Sequence, residues 1–300
     1  MRSRRSFLRL LGAGWLTPLA VDTGGSSTAS TQEPGASAVK AFASWGGVLG
    51  VQLYSLRRQL ERDVRKALSR VRDWGLAEVE TAGFHGRTAS AFADELKRAH
   101  LRATSMHVGY EQLRDDRKQV LADAKALGVS YVATAWIPHQ RPFSLADAER
   151  AAADFAEWGR ALAGEGLRFM YHLHGYELAP GSKGTLLEVL LQATQPDPVS
   201  YQMDVFWVVR GGGDPVAILR RSPGRFASLH LKDMARGTPV GDFTGSAPQD
   251  TNVALGTGMI DYRAVLRAAR DAGVRLYYLE DESDRVLEQV PRSLTFLAQM

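Results

Sequence analysis

Residues 262–280, YRAVLRAARDAGVRLYYLE, contain the structural unit that decides the fold. A helical period of apolar residues covers 262–272, Gly273 follows it, and an apolar strand candidate covers 275–280. A glycine directly after a helix is typical of a left-handed residue that ends the helix. The same helix, glycine and strand pattern recurs at Gly75, Gly128 and Gly166. The chain is therefore predicted to repeat one helix–strand unit.

Eight strands alternate with eight helices along most of the chain. The strand candidates are 48–54, 77–81, 103–107, 131–136, 168–173, 200–205, 226–231 and 275–280. The helix candidates are 63–74, 89–100, 112–127, 145–164, 184–193, 215–221, 262–272 and 284–298. Strict alternation implies right-handed crossovers and a parallel sheet. Eight units in ~250 residues predict an α/β fold with a single (β/α)8 TIM barrel rather than an open sheet, and no Gly-x-Gly-x-x-Gly motif follows the first strand.

Composition narrows the class of protein and its partners. The 300 residues are 45% hydrophobic and 23% charged, which is typical of an ordered globular chain and excludes collagen-like, coiled-coil and disordered classes. The chain has no cysteine, so it has no disulfides and any metal must be bound by His, Asp and Glu. The net charge is +4, but residues 1–31 contain four arginines and one aspartate. The remainder is nearly neutral, and we expect no nucleic-acid partner.

The N-terminus is typical of an export signal. Ser3-Arg4-Arg5-Ser6-Phe7-Leu8 precedes an apolar run over 10–20, which resembles a twin-arginine signal; a basic helix start is the alternative. We therefore expect residues 1–43 to be signal peptide and linker, 44–300 to be the barrel, and the protein to be periplasmic or otherwise exported. Cleavage after Ala20, Ala29 or Ala38 is left open. No apolar stretch of about 18 residues follows, so no stable membrane insertion is expected after signal removal.

Polar residues occupy the carboxyl ends of the predicted strands, where TIM barrels carry their chemistry. Strand alternation places His172 and His174 on the same face of their strand, and His230 and Lys232 on the same face of theirs, so each pair points into the barrel interior or mouth. Satisfied core histidines are the alternative, but convergence from several strands favours a functional site. The full set of polar and aromatic residues at these ends is Gln52, Tyr54, Glu80, His107, Trp136, His172, His174, Asp204, His230, Lys232 and Glu280.

Several short motifs carry a family resemblance over residues 48–299. They are Gly50-Val51-Gln52-Leu53-Tyr54-Ser55-Leu56-Arg57, Val79-Glu80, Tyr171-His172-Leu173-His174, Asp204-Val205-Phe206-Trp207, Gly212-Gly213-Asp214-Pro215, His230-Leu231-Lys232-Asp233, Gly256-Thr257-Gly258-Met259-Ile260-Asp261 and Leu279-Glu280-Asp281-Glu282. In this order they resemble the sugar phosphate isomerase/epimerase family, with its xylose-isomerase-like TIM barrel. The resemblance implies a small-molecule sugar substrate and a divalent metal at the barrel mouth, commonly manganese, with magnesium, cobalt and zinc as alternatives. It leaves open whether the chain forms a homo-oligomer.

The resemblance also implies the metal ligands. Matched by position, Asp204, His230 and Glu280 are ligands from strands six, seven and eight. The best-known epimerases of the family have a glutamate on strand five, whereas this chain has His172, which we expect to be the fourth ligand. His174 is expected to be a ligand or a substrate contact. The missing glutamate argues against a symmetric epimerase with two metal-bound carboxylates. We expect the four donor atoms to surround one point at ~2.0–2.3 Å.

Such a site suits proton abstraction next to a carbonyl, because a chelated divalent cation stabilises the enediolate. We expect Glu280 to be the base and Glu80 to hydrogen-bond sugar hydroxyls, although either carboxylate can take the proton. Lys232 is expected to stabilise the oxyanion or protonate the leaving oxygen; a surface ion pair with Asp233 is the alternative. The predicted substrate contacts are Tyr54, His107, Trp136, His174 and Trp207, with core packing as the alternative for the aromatic ones, as it is for Phe206.

The long segment between Asp233 and Met259 has no apolar periodicity, and we expect it to be an active-site lid. Its Gly256-Thr257-Gly258 is predicted either to approach a ligand or to form a turn. The predicted function is a metal-dependent isomerase or epimerase of an unphosphorylated sugar or keto-sugar. The alternatives are a 3-keto-glycoside lyase or hydrolase, and a non-catalytic exported sugar-binding module.

Overall fold

The computed structural model describes residues 34–181 and 184–300, and within them eight parallel strands close into one barrel. Each strand pairs with its neighbours along the chain, and the first pairs with the last, with Val48 opposite Leu276. The predicted (β/α)8 TIM barrel is therefore confirmed. The strands are β1 Val48–Gln52, β2 Glu78–Ala82, β3 Arg102–Val108, β4 Tyr131–Thr134, β5 Arg168–His172, β6 Val199–Asp204, β7 Phe226–Leu231 and β8 Leu276–Leu279.

Helices surround the barrel and connect its strands. The structure breaks the predicted helix 112–127 at Asp116, whose non-helical backbone (φ −139°, ψ 48°) separates α5 from α6 and whose carboxylate accepts the Gln119 N–H. The helices are α1 Pro34–Ser44, α2 Arg57–Arg62, α3 Val64–Asp73, α4 Ala89–Arg98, α5 Tyr110–Asp115, α6 Arg117–Leu127, α7 Leu145–Ala163, α8 Leu186–Ala193, α9 Val205–Arg210, α10 Pro215–Arg221, α11 Tyr262–Asp271 and α12 Val286–Leu297.

The glycines after the helices adopt the predicted left-handed conformation. Gly75, Gly128, Gly166 and Gly273 have φ between 71° and 86°. This region costs a residue with a Cβ more than it costs glycine, so glycine is the residue that ends a helix and turns it into the next strand at low cost. The repeated αβ turn brings each new strand into the barrel at the same end. As a result, all eight strand carboxyl ends meet on one face.

The core has two layers, as expected for this architecture. Inward-facing side chains fill the barrel, and the outward face of each strand packs against a helix. On the outside, Phe155 and Trp158 of α7 pack on Phe169 of β5, with ring centroids 5.0 and 5.7 Å apart. All three rings are almost fully buried. Burial of each such side chain contributes roughly 1.5–3 kcal/mol, so the outer layer holds the strands at fixed positions.

Helix α1 precedes the first strand and belongs to the packed structure. Ala38 and Phe42 are fully buried, and the Phe42 ring lies 4.6 Å from Trp45 and 5.0 Å from Tyr277 between centroids. The domain boundary expected at residue 43 therefore falls inside α1, a helix that packs on the barrel. The apolar residues Ala38 and Phe42 form its buried face. The twin-arginine motif lies outside the described residues. Among the described helices, none combines the length and the apolar character that crossing a membrane requires.

Candidate active site

Four side chains from successive strand ends converge at the mouth of the barrel. They are His172 at the end of β5, Asp204 at the end of β6, His230 on β7 and Glu280 directly after β8. All four are buried, and one ligand atom from each lies within 4.8 Å of the others. The three ligands that the resemblance implies and His172, the expected fourth, are thus brought together in one cluster.

Asp204 is the N-cap residue of a short helix, α9. Its Oδ1 accepts the Trp207 N–H at 2.9 Å and so caps α9, a helix that the sequence pattern did not predict. Its Oδ2 is buried and has no hydrogen-bond partner. The His172 Nε2 and the Lys232 Nζ lie 3.9 and 4.0 Å from this oxygen. A buried carboxylate oxygen without a partner is costly, and a cation between these side chains would remove that cost.

The donor set fits a divalent ion. Two carboxylates and two imidazoles are oxygen and nitrogen ligands that suit manganese, zinc and related metals. Burial raises the pKa of Asp204, and the nearby Glu280 charge adds to the shift although Lys232 opposes it. Burial together with the neighbouring histidines lowers the pKa of His172 well below its usual value. His172 is therefore a neutral imidazole, the form that binds metals.

His230 lies between two carboxylates. Its Nδ1 is 2.9 Å from Glu280 Oε2, and its Nε2 is 2.5 Å from Glu80 Oε2. Burial lowers the pKa of His230, but the charges of Glu280 and Glu80 outweigh burial and raise it to about 10. Burial raises the pKa of Glu280, but Lys232 and His230 outweigh burial and lower it below its usual value. In this structure His230 and Glu280 therefore form a buried ion pair.

Lys232 is a buried cation among carboxylates. Its Nζ contacts Glu282 and lies 3.8 Å from Glu280 Oε2. Burial lowers the pKa of Lys232, but Glu282, Glu280 and Asp204 together raise it above its ordinary value. The alternative of a surface ion pair with Asp233 is wrong, because Lys232 is buried. The Asp233 carboxylate instead accepts backbone N–H groups of Met234, Gly256, Gly258 and Ile260.

Glu80 lies below this cluster, away from the cavity. It is fully buried, and its carboxylate accepts hydrogen bonds from Gln52 Nε2 at 2.8 Å and Gln202 Nε2 at 2.9 Å. The His107 Nε2 lies 3.1 Å from the same carboxylate. Burial raises the pKa of Glu80, but His107 and His230 outweigh burial and hold it well below its usual value. Glu80 is not among the residues that line the cavity, and its expected contact with sugar hydroxyls stays a prediction.

A cavity of about 560 Å³ opens above the cluster. Tyr54 and Trp136 lie at its rim with 43% and 38% of their surface exposed. The five residues predicted to contact substrate all line it, together with His172 and Glu280. Those five residues are Tyr54, His107, Trp136, His174 and Trp207. The volume falls within the range of small-molecule sites.

The loop after β7 lies at the mouth of this cavity, where a lid was expected. Gly245 lines the cavity, and a Cβ at this position would lie 2.8 Å from the Trp136 ring. The Asp242 carboxylate accepts a hydrogen bond from Arg210 at 2.6 Å, which fixes the loop against α9. The Gly256 and Gly258 amides bind Asp233, so this Gly-Thr-Gly forms a turn rather than a ligand contact.

Three polar residues near the site were not among the predicted site residues. Gln202 lies two residues before Asp204, and Glu282 lies two residues after Glu280. Strand alternation places Gln202 on the same face of β6 as Asp204, so the pattern indicated Gln202. Glu280 and Glu282 follow β8 outside the strand, and alternation gives no signal for Glu282. Gln52 was noted at a strand end without a role, and its amide holds Glu80. Glu282 lines the cavity and pairs with Lys232.

The closed barrel and the buried His, Asp and Glu cluster define a TIM-barrel protein with a candidate metal site at its catalytic face. The sequence profile of the xylose isomerase-like TIM barrel family matches residues 68–300. The chain belongs to this family.

Individual relatives share part of the chain or its fold. Two curated sequences of Lacticaseibacillus casei, each named inosose dehydratase, are 27% identical over 132 residues. The match spans 42% of this chain and 43% of those relatives. A sugar phosphate isomerase/epimerase from Parabacteroides distasonis has a TM-score of 0.69 at 25% identity, covering 83% of this chain and 93% of that one. The IOLI protein, solved with a zinc atom, has a TM-score of 0.63 at 15% identity and covers 84% of this chain and 95% of its own, which shows the fold alone.

Proposed function

We propose that this chain is a divalent-metal-dependent enzyme that removes a proton next to the carbonyl of an unphosphorylated sugar or keto-sugar. One observation carries the proposal: a buried cluster of two carboxylates and two imidazoles, with one unpartnered carboxylate oxygen, lies below a cavity at the carboxyl ends of the strands. A purely sugar-binding module has no need of such a donor set. Relatives named as dehydratase and isomerase/epimerase support sugar-modifying chemistry.

His172, Asp204, His230 and Glu280 would hold the metal. Manganese is the ion that we favour, with magnesium, cobalt and zinc as alternatives, and the zinc atom in the IOLI protein shows one ion that the same fold accepts. When bound, a divalent ion polarises a substrate carbonyl and stabilises the negative charge that forms on its oxygen. The chain's own side chains supply the remaining steps.

Glu280 is the base that we propose, because its carboxylate lines the cavity whereas Glu80 does not. Lys232 keeps its positive charge among Glu280, Glu282 and Asp204. Lys232 is not among the residues that line the cavity. It can therefore donate a hydrogen bond to a developing oxyanion, or a proton to a departing oxygen, only where a substrate oxygen reaches its Nζ beside Glu280 and Glu282. Trp136 and Tyr54 at the rim offer flat apolar faces to the C–H surface of a sugar ring.

The cavity favours a substrate without a phosphate. Its lining contains the carboxylates of Glu280 and Glu282, and no arginine or lysine is among the lining residues within the described part of the chain. Away from the proposed metal, a phosphate would therefore face the carboxylates without an arginine or lysine of the lining to pair with it. We infer an unphosphorylated substrate, in spite of the phosphate in the name of some relatives.

A second outcome of the same proton abstraction, elimination, has specific support. Epimerisation needs a proton donor and a proton acceptor on opposite faces of the substrate, but the cavity carboxylates Glu280 and Glu282 both follow β8, while β5 contributes His172 and His174. In elimination the base takes the proton on the carbon next to the carbonyl, a double bond forms, and the C–O bond of the neighbouring carbon breaks. Lys232 would give the leaving oxygen its proton. The two relatives named inosose dehydratase agree with this outcome.

Proton NMR in deuterium oxide tests these proposals. The full chain, treated with EDTA and reloaded with manganese, is incubated with free sugars and with 3-keto-glycosides. Deuterium incorporation next to the carbonyl is the expected sign of proton abstraction, and release of the aglycone with formation of an enone identifies elimination. Sugar binding that survives EDTA, without deuterium exchange for any substrate, would instead indicate a non-catalytic binding module.

We also propose that the protein is exported by the twin-arginine pathway to the periplasm. The support is the Ser3-Arg4-Arg5-Ser6-Phe7-Leu8 motif and the apolar run after it. Replacement of Arg4 and Arg5 by lysine conserves the charge but removes the arginine pair. We expect this double variant to stay in the cytoplasm, as measured by fractionation. Unchanged export of the double variant would contradict the proposal.

A further inference from the structure

A buried amide, Gln202, connects two histidines to the buried carboxylate of Glu80. Gln202 lies on β6 and is fully buried. Its Oε1 lies 2.8 Å from His172 Nδ1 and 2.9 Å from His107 Nε2. Its Nε2 donates to Glu80 Oε1 at 2.9 Å and to Ser228 Oγ at 3.0 Å. Every hydrogen-bonding group of this amide therefore has a partner.

The orientation of the amide is fixed by Glu80. An ionised carboxylate only accepts hydrogen bonds, so the NH2 group of Gln202 must face Glu80. The amide oxygen of Gln202 then faces the histidines, and this oxygen also only accepts. Both His172 Nδ1 and His107 Nε2 must consequently carry a hydrogen. Reversing the amide would place its oxygen against the Glu80 carboxylate in a buried environment, where unpaired acceptors are costly.

This arrangement selects one tautomer of His172. A neutral imidazole with a hydrogen on Nδ1 has its lone pair on Nε2, and the Nε2 of His172 is the atom that lies 3.9 Å from the unpartnered Oδ2 of Asp204. His230 differs, because its Nε2 lies 2.5 Å from Glu80 Oε2 and its Nδ1 lies 2.9 Å from Glu280 Oε2. A metal bound at its Nδ1 would take the place of the hydrogen in the Glu280 contact. One buried carboxylate thus orients both imidazoles toward the metal cluster, one directly and one through Gln202.

A second group of possible metal ligands, the three histidines 107, 172 and 230, overlaps the metal cluster. His107, His172 and His230 are also close enough together to hold a cation. However, the facing atoms His107 Nε2, His172 Nδ1 and His230 Nε2 are already bonded to Gln202 Oε1 or Glu80 Oε2. The unpartnered acceptor, Asp204 Oδ2, lies in the other cluster. We therefore infer that the three-histidine group is not a second metal site, and that its hydrogen bonds to Gln202 and Glu80 fix the imidazoles of the metal cluster.

We propose that Gln202, anchored by Glu80, is a positioning residue that holds His172 as the Nδ1–H tautomer and presents its Nε2 to the divalent ion. The part of this proposal that concerns the metal rests on the proposed function. The positioning explains how β5 contributes a ligand although it lacks a glutamate: the imidazole is fixed by a neighbour on β6. Removal of such an outer-shell partner typically lowers metal affinity by about 10–100-fold.

Calorimetric titration of manganese into the EDTA-treated full chain tests the effect on affinity. We expect Gln202→Leu, which keeps the size of the side chain but removes its polar atoms, to bind manganese about 10–100-fold more weakly than the wild type. Gln289→Leu is the matched control, because Gln289 is a buried glutamine on α12 that donates to Asn252 O and Ser283 Oγ and to none of the four proposed ligands. The control should keep wild-type affinity within about twofold. Wild-type affinity in folded Gln202→Leu would overturn the proposal.

Nitrogen NMR of the metal-free chain, labelled with ¹⁵N-histidine, gives a readout that does not depend on metal binding. We expect His172, assigned by comparison with His172→Gln, to be the Nδ1–H tautomer in the wild type and to lose this preference in Gln202→Leu. A wild-type His172 that carries its hydrogen on Nε2 would refute the proposal. If the wild type binds no divalent ion, the proposed function fails, while the tautomer comparison still decides the role of Gln202. If Gln202→Leu does not fold, Gln202→Asn, whose shorter amide cannot span both partners, takes its place with the same expectations.

Discussion

Two buried carboxylates flank the same imidazole, yet their surroundings differ. Glu80 contacts His230 from below, and its carboxylate oxygens also accept hydrogen bonds from Gln52 and Gln202 and contact His107. Glu280 contacts His230 from above, lines the cavity and lies near Lys232. Both residues are buried glutamates. They differ in that Glu280 lines the cavity and Glu80 does not.

The comparison shows where chemistry can take place in this barrel. Below His230, the polar atoms of Glu80 and Gln202 all have hydrogen-bond partners within the protein. Neither residue lines the cavity, so these side chains can fix the positions of their neighbours but do not face a ligand. Above it, Asp204 Oδ2, His174 Nδ1 and Trp207 Nε1 are buried without a hydrogen-bond partner. Unpaired buried polar groups are uncommon and call for a partner. We infer that metal and substrate provide partners on the upper side.

The largest effect is expected for Glu280→Gln. This change removes a ligand charge and the proposed proton acceptor together, so turnover should fall by ~10²–10⁴-fold or more. The measurement is kcat with saturating manganese, together with manganese affinity. Glu95→Gln, which neutralises a buried carboxylate on α4 that pairs with Arg65 of α3, is the control and should leave kcat unchanged. Turnover close to that of the wild type in Glu280→Gln would place the base elsewhere.

Glu80→Gln should have a smaller and different effect. An amide at this position no longer fixes the orientation of Gln202 or the hydrogen of His230, so manganese affinity should fall by about 10–100-fold. Saturating manganese should then restore most of kcat. If manganese affinity is unchanged while KM for the sugar rises, Glu80 contacts the substrate, as the sequence suggested. A larger loss of kcat than in Glu280→Gln, with metal bound in both, would make Glu80 the base.

Trp136→Ala should affect substrate binding alone. The ring lies at the rim, 38% exposed, and contacts no member of the metal cluster other than through His174, whose ring centroid lies 5.6 Å away. Loss of one aromatic face costs about 0.5–1.5 kcal/mol, so KM should rise up to roughly tenfold with kcat nearly unchanged. Leu145→Ala, at an exposed leucine that does not line the cavity, is the control. An equal KM for both variants would remove Trp136 from the substrate site.

Phe42→Ala should leave turnover unchanged and lower stability. Phe42 is fully buried against Trp45 and Tyr277 near the start of β1, at the end of the barrel opposite the cavity. Deletion of a buried aromatic ring typically costs about 3–5 kcal/mol of unfolding free energy. Chemical denaturation measures this loss, and Phe42→Leu should lose less. A negligible change in Phe42→Ala would mean that α1 adds little to the fold, as the sequence-based boundary at residue 43 implied.

Some parts of the fold and site could be predicted because they depend on local pattern. Helical period, terminal glycine and apolar strand follow from neighbouring residues, and the glycines at 75, 128, 166 and 273 adopt the expected conformation. The convergence of His172, Asp204, His230 and Glu280 then follows from the barrel, since closure brings all strand ends to one face. Helix α9 was missed because Val205–Arg210 has the apolar composition of a buried strand.

The sequence by itself determined the barrel, the strand ends that carry polar residues and the types of ligand available to a metal. The tertiary structure alone decided that Glu80 faces His230 and Gln202 rather than the cavity, that Asp204 keeps one oxygen unpartnered, and that α1 packs on the barrel. The physical reason is that alternation along a strand gives the face on which a side chain lies. Which partners fill its hydrogen-bonding capacity depends on strands distant in sequence, and those partners decide whether a buried carboxylate holds a neighbour in place or remains available to a ligand.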